Sequence, residues 1–184
     1  EPGDGCTLAQ AWLSLDAGAV GALRGDVGAA ERHLHLAMDL AAEMWMPEVE
    51  ARAQLELGCL YRARSRDTLA VAHLDAALGG VSEHRDCVWS QTVGVEALEA
   101  LGQLAMSAGD GAVARQRFEE ARSRSSGDDA LVARSQLGLA NVLLRSGDGD
   151  GAQTLLTEAR AGAVRAADRI LEGRVVNNMG LVHH

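Results

Sequence analysis

The sequence predicts an all-α chain of stacked antiparallel helix hairpins. Three observations predict it. Apolar residues recur at helical spacing along nearly the whole chain, and no segment alternates as a strand does. Gly-Asp pairs break that pattern at Gly25-Asp26, Gly109-Asp110 and Gly147-Asp148, where one helix must end and the next be capped. The third observation is a repeated motif. Small residues Gly18, Gly58, Gly102 and Ala140 are each followed, twelve positions on, by Ala30, Ala70, Ala114 and Ala152. Four further on stand Leu34, Leu74, Phe118 and Leu156, and three beyond those Ala37, Ala77, Ala121 and Ala159. Gly180 begins a fifth copy.

The motif has a packing reason. A small residue lets the first helix of a hairpin approach the second closely. The Ala–bulky–Ala series forms one stripe on the second helix, and its bulky member fills the groove that the small ones open. One hairpin cannot bury its own apolar face, so hairpins must stack.

The elements follow in order. Residues 1–6 read as a disordered lead-in. Thr7 with Gln10 has the capping-box spacing for a first helix over about 8–23. Asp26 caps a second over about 27–45. Pro47 suits the first turn of a third, to about 64. Asp67 is the expected cap of a fourth over 68–79, ended by Gly79-Gly80. Helices over about 87–107 and 111–124 flank Gly109-Asp110. The loop Ser125-Ser126-Gly127-Asp128-Asp129 supplies a cap for 130–145. Gly147-Asp148-Gly149-Asp150 leads into 151–164, and a last helix covers about 167–183.

This pattern resembles the tetratricopeptide repeat. The best copies are Leu57-Gly58…Tyr61…Ala70…Leu74…Ala77 and Leu101-Gly102…Ala114…Phe118…Ala121. The resemblance covers nearly the whole chain and implies a right-handed superhelical solenoid of about four and a half repeats. They would run over about 7–46, 47–85, 86–127 and 128–166, with a partial copy over 167–184, in a single domain spanning 7–184. Two departures stand out. The family's proline after the second helix is missing. The small residues recur at intervals of 40, 44, 38 and 40, longer than the usual ~34 residues. The extra residues fall between hairpins, where longer helices would absorb them.

Composition bounds the function. The 184 residues are 47% hydrophobic and only 3% aromatic, so the core is mostly Leu, Val and Ala. A net charge of −9 argues against a nucleic-acid backbone as partner. All 17 basic residues are arginine, which reads as a GC-rich, bacterial coding bias. Cys6, Cys59 and Cys87 are scattered without a Cys-x-x-Cys, so neither a disulfide framework nor a zinc site is expected, and a reducing cytoplasm is the simplest location. No apolar run reaches the ~18 residues of a membrane span, and Glu1-Pro2-Gly3-Asp4-Gly5 has no signal-peptide character. The last copy stops in mid-motif, as in a piece of a longer protein, with His183-His184 native or a tag remnant.

Several motifs bear on chemistry. The Gly-Asp turns lack the spaced oxygen ligands and closing glutamate of a calcium loop and read as caps. His33 and His35 fall on different faces of one helix, and His73 and His84 stand apart, so all four read as structural. Trp45, in Met44-Trp45-Met46-Pro47, reads first as a plug between helices. Its alternative, shared with Trp12 and Trp89, is an apolar contact for a partner.

The resemblance implies a concave groove lined by the first helices of the hairpins. Its residues here would be Arg52, Arg62, Gln103, Arg134, Asn141, Arg145, Arg174, Asn177 and Asn178, beside Cys59, Glu96 and Glu99; the alternative reading of the same residues, and the first one, is a solvated polar face. Asparagine can both donate to and accept from an extended peptide backbone, and arginine can fork onto a carboxylate or phosphate. Asn141 and Asn178 match the asparagine pair of the family's carboxylate-clamp members. Leu137 replaces the clamp's first basic residue and its third repeat is absent, which argues against a C-terminal carboxylate as ligand.

No nucleophile–base pair, metal set or phosphate loop appears, so no catalysis, cofactor or metal is expected. The expected function is a protein- or peptide-binding module, with no direct nucleic-acid or membrane contact. Long repeats of this kind are similar to the sensor arrays of bacterial transcriptional activators of the LuxR and antibiotic-regulatory types. Two alternatives stand. One is a scaffold that self-associates through its solenoid ends. The other is a small-molecule sensor with a closed cavity of several hundred Å³ near Trp45 and Trp89.

Overall fold

The computed structural model describes residues 4–84, 87–125 and 127–182. Residues 1–3 of the expected lead-in, and His183-His184, lie outside them. Among the described residues every regular element is a helix: α1 (Asp4–Arg24), α2 (Val27–Glu43), α3 (Pro47–Ala63), α4 (Asp67–Ser82), α5 (Val88–Ser107), α6 (Gly111–Arg124), α7 (Asp129–Ser146), α8 (Gly149–Arg165) and α9 (Arg169–Leu181). No described helix is long and apolar enough to cross a membrane. The chain divides into two compact units, Glu1–Ala100 and Leu101–His184.

Within the first unit α1 packs on α2 and α3 on α4, while α3 also touches α2 and α1. Within the second, α7 packs on α6, α8 and α9, and α8 also packs on α9. Short turns join the partners, so each pair is an antiparallel hairpin. First helices of successive hairpins lie side by side, α1 with α3 and α7 with α9.

The repeated motif is the core. Ala30, Ala70, Ala114 and Ala152 are fully buried, as are Ala37, Ala77, Ala121 and Ala159. The bulky member packs on the small one. A Cβ added at Gly18 would sit 2.6 Å from Leu34 Cγ, one at Gly58 2.6 Å from Leu74 Cγ, and one at Gly102 2.8 Å from Phe118 Cζ. Gly138, outside the motif, closes the slot from the other side: its added Cβ would lie 2.3 Å from Phe118 Cδ1. The single phenylalanine is thus held between a glycine of α5 and a glycine of α7.

Helix ends repeat one device. At Gly25, Gly109 and Gly147 the backbone turns left-handed (φ 77°, 83° and 83°), and the next amide bonds back to the carbonyl five residues earlier, as in Asp26 N to Gly21 O at 3.0 Å. The aspartate that follows caps the next helix. Asp26 accepts from Ala29 N, Asp110 from Val113 N and Asp148 from Gly151 N. Asp128 caps α7 in the same role, and Asp168, which the sequence reading passed over, caps α9 by accepting from Leu171 N. These bonds support the capping reading of the Gly-Asp pairs.

Four local expectations are corrected. Helix α1 begins at Asp4, so Thr7 lies within it and not at its start. Arg66, not Asp67, occupies the cap of α4 and gives no side-chain bond, because Ser65 takes the left-handed position directly before it. Helix α4 runs through Gly79-Gly80 to Ser82, since Val81 is buried and a Cβ added at Gly80 would meet Ala51 Cβ at 3.5 Å. Trp45 plugs nothing: it is 91% exposed, at the left-handed residue (φ 53°) that ends α2.

Candidate functional site

The expected groove residues fall in both units, and each group is built by its own helices. In the first unit, α3 carries Glu48, Arg52 and Glu56 one turn apart, on the face that successive i,i+4 residues share. Arg52 Nε donates to Glu48 Oε1 at 3.0 Å, with both side chains about one-third exposed. Glu56, absent from the expected set, is the more perturbed group. Burial pushes its carboxyl above the ordinary value, Glu96 of α5 adds to the rise, and Arg52 opposes it. The signal for Glu56 was present in the sequence as the i+4 neighbour of Arg52. Cys59, in no disulfide, is half-buried on the same helix. Arg62 is half-buried, and its Nε makes no hydrogen bond among the described residues.

On α4, His73 shares an Nδ1–Oε1 hydrogen bond of 2.7 Å with Gln54 and stacks on Tyr61 with ring centroids 5.3 Å apart. Burial lowers its pKa, and His35 lowers it further. These contacts agree with a structural role for His73. Trp89 lies against His84 with ring centroids 5.5 Å apart.

In the second unit the structure brings Asn141 and Asn178 together. The two side chains are half-buried, and Asn178 Nδ2 donates to Asn141 Oδ1 across the α7–α9 contact. By valence the Asn141 amide donors and the Asn178 carbonyl oxygen are not used in that bond. Arg174 and Asn177, on the same helix as Asn178, are exposed. Arg134 lies seven residues before Asn141, two turns along the same face of α7, and is half-buried. Gln103 is half-buried on α5.

Arg145 departs from the expected role. Its Nη1 donates to Met106 O, one of the last carbonyls of α5, so the guanidinium serves a helix end. It also lines a cavity of about 320 Å³ with Arg115, Met106 and Val142. Arg115 itself donates to Glu119 at 2.8 Å. The best-formed ion pair of this unit is remote from the asparagines: Arg165 forks onto Asp129 at 2.7 and 3.0 Å, and the fork holds the Asp129 carboxyl below its ordinary value.

Among the described residues no group of three or more His, Cys, Asp or Glu side chains is placed to hold a metal. The second unit thus carries paired amides and the exposed Arg174, and the first carries the half-buried carboxylates of Glu48 and Glu56. A scan against protein-family models finds no family that matches the chain, and a search of curated proteins finds no relative.

Proposed function

We propose that the chain is a peptide- or protein-binding helical-repeat module of the tetratricopeptide kind, its hairpins wound into a right-handed superhelix. Its guest is an extended segment laid across the first helices of successive hairpins in the second unit. The observation that carries this reading is the Asn141–Asn178 hydrogen bond across α7 and α9. Two amides tied to each other are held in fixed orientation, so less freedom is lost when they engage a peptide backbone. Arg174, Asn177 and Arg134 supply further donors along the same helices. Such a module fits the regulatory part of a larger cytoplasmic bacterial regulator, a reading that rests on resemblance at the level of fold.

The test is selection of peptides from a random displayed library on the wild-type chain and on an Asn141→Ala, Asn178→Ala double variant. Peptides enriched by the wild type should lose at least about tenfold in affinity on the variant. Equal enrichment on both would remove the asparagines from the site.

A second reading, self-association through helix faces, is favoured by one observation. Ile170 and Leu181 of α9 are 80% and 58% exposed, and Leu23 of α1 is 88% exposed. Light scattering that finds a monomer at every concentration eliminates it.

A further inference from the structure

The structure holds a second surface that the asparagine site does not use. A groove of about 640 Å³ in the first unit is lined by Ala41, Trp45, Met46, Pro47, Gly79 and Gly80, with Glu50, Glu83 and His84 at its edge. It lies where α2 and α4 end and α3 begins.

Three features set this groove apart. Trp45 is 91% exposed, the largest apolar side chain at any described left-handed helix end, where Gly25, Gly109 and Gly147 stand elsewhere. The turn that carries it is closed by the backbone: Met46 N bonds to Ala41 O at 2.9 Å, the same closure as at the glycine ends. An exposed indole beside methionine and proline is the composition of a contact anchor, not of a solvated turn.

The second feature is charge. The described lining residues include Glu50 and Glu83 and no arginine. The third is the helix ends themselves. The carbonyl ends of α2 and α4 both meet the groove, and neither helix has a basic residue in its last turn. Each such end carries partial negative charge. The amino end of α3 also lies here, with Glu48 and Glu50 in its first turn offsetting part of its positive charge. An apolar floor with Glu50 and Glu83 at its edge and an open indole face selects a cation carried on an apolar segment, and the chain's net charge of −9 steers such a partner.

We propose that this groove binds a protein segment presenting arginine or lysine next to an apolar side chain. The apolar side chain seats among Ala41, Met46 and Pro47. The cation lies over the Trp45 ring and is met by Glu50 and Glu83. The proposal stands independently of the Asn141–Asn178 reading, since the two sites share no residue.

The test is calorimetric titration of the full chain with the peptide acetyl-Leu-Arg-Leu-Arg-Leu-Arg-amide and with its glutamate-for-arginine counterpart. The basic peptide should bind and the acidic one should not. Trp45→Gly should weaken binding by about tenfold or more, and Glu50→Gln with Glu83→Gln by severalfold, as added salt should also do. Trp45→Gly places the residue best suited to this backbone at that turn, so its melting temperature should not fall, and lost affinity then cannot be ascribed to unfolding. Asn141→Ala with Asn178→Ala should leave this affinity unchanged. The proposal is overturned if neither peptide binds, if the acidic peptide binds equally, or if Trp45→Gly keeps wild-type affinity.

Discussion

Phe118 sets the residue scale. Its ring sits between Gly102 and Gly138, with no room on either side for a methyl group. Phe118→Ala is expected to cost about 3–5 kcal/mol, and Gly102→Ala, which overfills the slot, about 1–3 kcal/mol, both measurable by denaturant unfolding. Glu56 adds a pH effect. Its carboxyl is raised above its unfolded value, so the folded state binds the proton more readily. The resulting penalty is absent below the unfolded pKa and complete above the folded one. Glu56→Gln should therefore raise the melting temperature at neutral pH, and the gap should close as the pH falls toward about 4. A constant gap across that range would remove Glu56's titration as the cause. The sequence pointed to Gly102 through the repeat, but Gly138 lies outside the motif and only the placement of α7 makes it the other wall.

At the scale of the element, helix ends carry the regularity. Three hairpin turns use a left-handed glycine followed by a capping aspartate; the α3–α4 turn uses Ser65 and Arg66 instead. A side chain in the left-handed region costs roughly 1–2 kcal/mol, and a missing cap about 1 kcal/mol. Ser65→Gly and Arg66→Asp are each expected to stabilise by about 1 kcal/mol, which for a chain of this length is a rise of roughly 2–4 °C in melting temperature. Asp110→Ala should lower stability by about 1 kcal/mol through the lost bond to Val113 N. The Gly-Asp turns were legible because they are local: glycine tolerates the backbone, and aspartate reaches an amide three residues on. The extension of α4 through Gly79-Gly80 was not, because it depends on Val81 reaching the core and on Gly80 meeting Ala51, a residue of another helix.

For the whole molecule, the described contacts run between neighbouring hairpins, so a local defect should stay local. Hydrogen exchange on Phe118→Ala should speed in α6 and α7 far more than in α2 and α3. Uniform loss of protection would point to a single all-or-none unit. By itself the sequence determined the all-helical class, the hairpin turns and the buried stripe of Ala30, Leu34, Ala37 and its three later copies, because each rests on spacing along one helix or on a contact within one turn. Of the candidate site, the resemblance to the tetratricopeptide repeat singled out Asn141 and Asn178 as a pair. Only the tertiary structure decided that those two amides bond to each other, that Arg145 serves the end of α5, that Glu56 is the strained carboxylate, and that Trp45 stands in the open. Each of those depends on which helices meet, and that is settled by packing between segments far apart in the chain.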